Sequence, residues 1–377
     1  MSREIIMIIG VGELGGIVLE YLARIHNICD IVVSDVNEDW GIRKVNSAIL
    51  GASYMGLFPN IAFKKLDLNN IEQTASTLKD INPTIIYNST TLQSWWVVGQ
   101  LPKEIHAKIY TGLGPWVPMH LTLTYKLMQA VKAAGIQTFV VNSSFPDATN
   151  PILHKVGMAP TVGIGNMDLI IPALRKTVAE KLGIPMNTVE IQLIAHHYHG
   201  YYFPRHGTGC EAPFFLKIFV NQEDITSQFD IETLVSEIPK RARRPEGAAG
   251  QYVVAASSLK NIMEIYNDSG NITHAPGPQG LPGGYMVRLN RKGAEVILPE
   301  GLTLDEAIGI NEEAQKYDGI EAILEDGTVR FTDKSWSALK ELIGYDCKEM
   351  GIDESETRAK ELREKFIAFA KKYGVDF

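Results

Sequence analysis

Residues 5–16 read Ile5-Ile6-Met7-Ile8-Ile9-Gly10-Val11-Gly12-Glu13-Leu14-Gly15-Gly16. Five consecutive apolar residues suit a strand buried on both faces of a parallel sheet. They lead straight into Gly-x-Gly-x-x-Gly and then a helical run to Ile25. Gly10 permits the tight turn, Gly12 puts no side chain in the way of a pyrophosphate, and Gly15 lets helix and strand pack closely. The helix start, with Glu13 and Leu14 on its first turn, offers free N–H groups and a partial positive charge to phosphates. A second apolar run, Ile31-Val32-Val33-Ser34, ends at Asp35. That is about twenty residues past the last glycine, where a carboxylate accepts hydrogen bonds from an adenosine ribose. Such a carboxylate repels a 2′-phosphate, so the pattern favours NAD over NADP; Arg43, nearby, keeps NADP open. The plainer alternative is a tight turn that binds no nucleotide.

The 377 residues suffice for two domains. A hydrophobic share of 45% and a charged share of 21% match a soluble globular protein. A formal net charge of −8 argues against nucleic acid as the main partner. Cys29, Cys210 and Cys347 are isolated, which points to a reducing compartment rather than a disulfide framework. No signal peptide is visible ahead of the first strand, so none is expected, and no apolar run reaches membrane-spanning length. The expectation is a cytoplasmic protein with small-molecule partners, no nucleic acid and no membrane.

Strands and helices then alternate. Residues 38–51 read as a loop and short helix, 61–67 as a third strand, 70–79 as a helix capped by Asn70, and 84–88 as a fourth strand. This spacing indicates right-handed βαβ units in a doubly wound sheet. Asn88, Ser89 and Thr90 stand where such sheets bind ligands, with an ordinary strand-end turn as the competing reading. Trp95-Trp96 and Gly112-Leu113-Gly114-Pro115-Trp116 fit a lid over a nicotinamide, core aromatics or a subunit contact. A helix from 118 to 134 and a strand from 138 to Asn142 follow. The domain change is expected at residue 150, with a second domain over 151–333 and a helical extension over 334–377. The second domain begins Gly163-Ile164-Gly165-Asn166-Met167-Asp168. A helix to Leu182 and an alternating strand, 189–195, lead into His196-His197-Tyr198-His199-Gly200.

This order of features resembles the lactate/malate dehydrogenase superfamily, which also holds the NAD-dependent family 4 glycoside hydrolases. The glycine unit to Asp35 matches at the front. Val140-Val141-Asn142 with Asn150-Pro151 resembles the strand and Asn-Pro turn beside the nicotinamide. Gly163-Ile164-Gly165, the following helix and strand 189–195 resemble the start of the catalytic domain. Gly284-Tyr285-Met286-Val287 through Leu298, and then Leu302–Glu306, resemble its closing hairpin and helix. The resemblance implies a Rossmann domain followed by an α+β catalytic domain, NAD as cofactor, and a homodimer or homotetramer. It departs from the family in two places. Residues 89–120 contain no arginine, and Asp168 is followed three residues on by Ile171 rather than arginine. A simple 2-hydroxy acid clamped by arginines is therefore not implied.

Hydride transfer between an alcohol and NAD needs a group that takes the hydroxyl proton. Histidine titrates near neutrality, and a carboxylate behind it fixes its tautomer. His197 holds the family position if strand 189–195 aligns without gaps, and His199 fits the local His-Gly pattern. Asp168 is the candidate orienting acid. The bland reading is a set of ordinary polar loop residues. A metal reading would draw on His196, His197, His199, His206 and Cys210, but their spacing matches no metal signature, so none is expected. Arg241, Arg243 and Arg244 form a solvated basic run unless one of them turns inward toward an anionic substrate; Arg205 is a further candidate. The reading is thus an NAD-dependent oxidoreductase acting on a secondary alcohol or ketone, with Asn142 and Asn88 near the cofactor and Arg205, Arg241 and Arg244 near the substrate. Its rivals are an NAD- and metal-dependent hydrolase or lyase of the family 4 type and a non-catalytic nucleotide-binding protein.

Overall fold

In a computed structural model that describes residues 4–376, the run Ile5–Ile9 is strand β1, inside a six-stranded sheet. The chain then forms α1 (Glu13–Leu22), β2 (Asp30–Ser34), α2 (Glu38–Ser53), β3 (Ile61–Phe63), α3 (Ile71–Ile81) and β4 (Ile85–Asn88). It continues with α4 (Lys103–Ile109), α5 (Val117–Ala134), β5 (Phe139–Asn142), α6 (Pro146–Lys155) and β6 (Val162–Gly163). The strand order is β3-β2-β1-β4-β5-β6, all parallel. The winding reverses between β1 and β4, which is where such sheets leave a crevice for ligands. Register keeps the ends level: Ile9 faces Ser34 and Asn88, and Asn88 faces Asn142. The residues after these strands therefore share one rim. Asn70 caps α3 as expected, its side chain accepting from the Gln73 N–H. Residues 38–51, expected as a loop with a short helix, belong to a 16-residue helix that Asn37 caps.

The border expected at residue 150 falls inside α6, and β6 joins the first sheet beyond it. Asn150-Pro151 is therefore a helical segment and not a turn beside the rim. Pro151 is tolerated there because the Asp147 carbonyl, which Pro151 cannot bond for lack of an N–H, accepts instead from Gly283 N at 3.3 Å.

The second half runs α7 (Ile170–Leu182), β7 (Val189–Ile194), α8 (His197–His206), β8 (Phe215–Val220), β9 (Glu223–Asp224) and α9 (Ile231–Arg241). Then come α10 (Gln251–Tyr266), β10 (Ile272–Pro276), β11 (Gly284–Asn290), β12 (Gly293–Ile297) and α11 (Leu304–Tyr317). Two three-stranded antiparallel sheets, β7-β8-β9 and β10-β11-β12, are tied by a bridge between Ala195 and Gly284. Helices α7 and α9 close one core with Leu174, Val178, Leu193 and Ile238. Helix α10 packs against α1 and so fastens this half to the first sheet.

The tail forms β13 (Ile320–Ile323), β14 (Val329–Phe331), α12 (Asp333–Ile343), β15 (Glu349–Met350) and α13 (Ser355–Lys371). It is more than a helical extension, since β15 completes an antiparallel sheet with β13 and β14. Leu362, Phe366 and Phe369 share a core with Trp116, Leu121 and Leu127 of the first half. Among the described residues no helix is long and apolar enough to cross a membrane.

Candidate functional site

A cavity of about 550 Å³ opens along the rim of the first sheet. Gly10, Gly12, Asp35, Ser89 and Thr90 line one part, and Asn166, His197, Tyr201, Arg205 and Arg244 line another. The glycine turn and the start of α8, far apart in sequence, thus face one space.

The glycine end has the features a dinucleotide needs. Gly15 packs so closely on the Gly10 carbonyl that any side chain would collide with it, so α1 starts tight against the strand end. A β-carbon added at Gly12 would meet nothing within 4 Å, because that position looks into the cavity. No side chain caps α1, so its first N–H groups are left for a ligand. The Asp35 carboxylate accepts from Val11 N and Asn37 N, each at 2.9 Å, and retains lone pairs toward the cavity it lines. Glu13, on the first turn, has its carboxylate turned onto Trp96 Nε1 at 3.2 Å. Leu14 lines the cavity.

Asn88 and Asn142 do not line the cavity themselves. Asn88 Nδ2 donates to Asn142 Oδ1 at 3.0 Å, and both amides are fully buried. They hold the cavity wall from behind: Asn88 Oδ1 accepts from the Thr90 hydroxyl at 2.7 Å, and Asn142 Oδ1 accepts from Ser144 N at 3.1 Å. Ser89 Oγ donates to the Gly10 carbonyl at 2.6 Å and braces the glycine turn.

The histidine cluster is the start of helix α8, and helical geometry separates its members. His197, Tyr201 and Arg205 recur every four residues and line the cavity together. His199 is turned about 200° from His197 on a helix of 3.6 residues per turn. It lies buried among Phe203, Phe214 and Tyr198, with Nε2 3.2 Å from the Ala212 carbonyl, so the structure does not place it at the site. Burial pulls its pKa down to about 4. His196 is also fully buried and accepts from Tyr198 N at the helix cap; burial lowers its pKa to about 3. Among the described residues, no three His, Cys, Asp or Glu side chains converge as metal ligands.

The carboxylate behind His197 is Asp318, directly after α11, with Oδ2 2.7 Å from His197 Nδ1. Asp168, expected in that place, is turned away. Its Oδ1 accepts from Lys260 Nζ at 2.7 Å and its Oδ2 from Ser257 Oγ at 2.5 Å. The Gly112-Leu113-Gly114 stretch is the seat of Asp318. Leu113 N donates to Oδ1 at 2.9 Å, and Gly114 N donates to the Asp318 carbonyl at 2.8 Å. Gly112, at φ +127°, lies against the Asp318 backbone with no room for a side chain. Trp116 is a core residue, edge-on to Phe366 at 4.9 Å. Only Trp95 of the two neighbouring tryptophans faces the cavity.

Two opposed effects set the charge on His197. Burial disfavours the cation, but the Asp318 charge and hydrogen bond, with Asp147 nearby, favour it, and the pKa rises above its ordinary 6.5. An opposite charge about 4 Å away is worth about 4 kcal/mol at an effective dielectric of 20, which is enough to outweigh partial burial. Burial would raise Asp318, but His197, His196 and the Leu113 N–H hold it below its ordinary value. Ionised Asp318 accepts from His197 Nδ1–H and leaves Nε2 as the nitrogen available to the cleft.

Three further residues were not anticipated. His120 on α5 lines the same cavity as His197, with Nδ1 3.2 Å from Thr91 Oγ1, and burial lowers its pKa to about 3. Asp147, fully buried on α6, bonds Asn166 and has an unpartnered Oδ1; burial raises its pKa to about 6. Asp318 follows a helix end with no local motif. For Asp318, the only hint in sequence was the two closely spaced glycines at 112 and 114, which signal a close backbone approach without saying by what.

Of the arginines, Arg241 does not reach the cavity: its guanidinium bonds Glu237 at 2.7 Å and reaches Glu180 at 3.5 Å. Arg244 turns inward and Arg205 lies beside it in the lining.

No protein-family model matches the chain, and no curated protein matches it in sequence. Solved structures do. The lactate dehydrogenase of Cryptosporidium parvum, solved with lactic acid and nicotinamide adenine dinucleotide, superposes with a TM-score of 0.60 at 17% identity, over 84% of this chain and 99% of that one. The malate dehydrogenase of the same organism gives 0.59 at 15% identity, over 84% and 98%. That of Plasmodium falciparum gives 0.56 at 18%, over 83% and 98%. The chain has the two-part α/β fold of lactate and malate dehydrogenases.

Proposed function

We propose that the protein is an NAD-dependent oxidoreductase that interconverts a secondary alcohol and a ketone, with His197 as acid/base and Asp318 as its positioning partner. The observation that carries this is that His197, with buried Asp318 2.7 Å behind it, lines the same cavity as the glycine turn and Asp35. Gly12 and the N–H groups of α1 would hold the pyrophosphate and Asp35 the ribose. NAD held there supplies the hydride acceptor. His197 Nε2 takes the proton from the substrate hydroxyl, and the imidazolium that forms is stabilised by the buried carboxylates of Asp318 and Asp147. His120, kept neutral by burial, would donate to the carbonyl oxygen through Nε2–H in the tautomer whose Nδ1 accepts from the Thr91 hydroxyl. The neighbour that holds lactic acid and the dinucleotide together supports the reading.

Titrating NADH into the protein, and following absorbance with NAD and a panel of secondary alcohols, tests it. The expected result is saturable NADH binding and stoichiometric NADH formation that survives chelation. A divalent-metal requirement with no net NADH would mark the hydrolase or lyase type instead.

Replacing Asp318 by Asn keeps a hydrogen-bonding shape but removes the charge. Turnover is expected to fall by about 10²-fold. The acidic limb of the alcohol-oxidation profile should move to lower pH, because burial would then act on His197 with less opposition. An unmoved limb would rule out Asp318 as the partner. Stability follows the same pair. His197, raised on folding, contributes fully below its ordinary 6.5 and loses that contribution as pH rises through its folded value. Asp318, depressed on folding, contributes above its ordinary 3.8 and loses that contribution as pH falls through its folded value. The stability deficit of the variant should therefore be greatest between those two ordinary values.

A further inference from the structure

Arg205 and Arg244 stand apart from the other arginines beside them. Both line the cavity, and among the described residues neither guanidinium pairs with a carboxylate. Glu246 lies in the same wall without bonding either one. By contrast, Arg241 is paired with both Glu237 and Glu180. Arg205 Nη1 donates to the Tyr201 carbonyl at 3.2 Å, and the guanidinium lies over Tyr201 at 4.4 Å and Trp95 at 5.1 Å. That stacking fixes the plane of the fork and leaves the other N–H groups free. Arg244 is half-buried, and burial and the charge of Arg205 together lower its pKa to about 10. Two like charges held close in a partly desolvated wall fit an anion that can face both.

The helix sets the distance. His197, Tyr201 and Arg205 lie on successive turns of α8, so the α-carbons of His197 and Arg205 are about 12 Å apart. The guanidinium folds back over Tyr201, which still leaves it about one turn, roughly 5 Å, along the axis from the level of the imidazole. A substrate that reaches both His197 and Arg205 therefore extends along the face of α8 that carries Tyr201.

We propose that the substrate carries a doubly charged end group, of the phosphate monoester or dicarboxylate kind, held between Arg205 and Arg244 on the Tyr201 side of the reacting carbinol. This rests on His197 being the acid/base.

Calorimetric titration of inorganic phosphate, and separately of malonate, into the NAD-saturated protein at fixed ionic strength tests it. At least one of the two anions should bind, and the stronger identifies the end group. Binding should weaken at least about 10-fold in Arg205→Gln and in Arg244→Gln and persist in His197→Gln. Glycerol 3-phosphate, which places three bonds between carbinol carbon and phosphorus, should reduce NAD with a higher kcat/KM than lactate if the end group is phosphate. Anion affinity indifferent to both arginine substitutions, or no anion binding at all, would overturn the proposal. So would phosphate binding only to the NAD-free protein, which would assign the arginines to the cofactor's pyrophosphate. Undiminished turnover in His197→Gln would instead overturn the acid/base reading and leave the anion measurements standing.

Discussion

The variant His197→Gln should bind NADH as the parent does and lose turnover by about 10³-fold or more, within the range a positioned general base contributes. Glutamine can still donate an amide N–H to Asp318, so the buried carboxylate remains partnered and the fold should survive. What glutamine cannot do is accept a proton near neutral pH. His197 is well placed for that task. Its ring lines the cavity, packs edge-on to Phe145 at 5.0 Å, and is fixed through Nδ1 at 2.7 Å. His196 and His199, within two residues, have lowered pKa values and other partners, so neither can substitute. The measurement is kcat with any alcohol that supports NAD reduction, beside an NADH titration and a melting curve. Full activity in a folded variant would favour the reading of a nucleotide-binding protein without this chemistry.

Gly12→Val should abolish cofactor binding while leaving the melting temperature nearly unchanged. At most glycines near the cleft the opposite holds, because the backbone or a neighbouring side chain blocks any substitution. Gly15 is pressed on the Gly10 carbonyl and Gly200 on the Asn166 backbone, so changes there would disturb the fold first. Gly12 has an ordinary negative φ and nothing within 4 Å of where its side chain would begin. The isopropyl group would therefore project into the space the pyrophosphate requires. A loss of NADH affinity of about 10²-fold or greater, equivalent to about 3 kcal/mol, is expected. Unchanged affinity in Gly12→Val would remove the cofactor from the glycine turn, and with it the reason for placing chemistry at His197.

The dinucleotide half of the chain could be read from its residues because each of its requirements is local. Strand, turn glycines, helix start and acid all fall within residues 5–35, and periodicity and steric need identify each one without reference to distant parts. Strand β7 and the β11–β12 hairpin could be read for the same reason. Helix α8 could not. Gly200, Pro204 and a run of aromatics lower its helical propensity, and tertiary packing imposes the helix all the same. Once it is helical, two histidines that look equivalent in sequence point to opposite sides.

The sequence by itself determined that a parallel sheet begins the chain, that a glycine turn of the dinucleotide-binding pattern follows its first strand, and that histidines follow residue 195. Only the tertiary structure decided which carboxylate serves His197, which arginines face the cleft, and which amides merely brace it. The reason is distance along the chain. Asp318 reaches His197 across 121 residues, whereas Asp168, the nearer candidate in sequence, is drawn off by Lys260 and Ser257. Arg241 is neutralised by its own helix neighbour Glu237, and Arg244, three residues on, is not. Such choices depend on which groups meet in space and how each is desolvated, and a one-dimensional pattern carries neither.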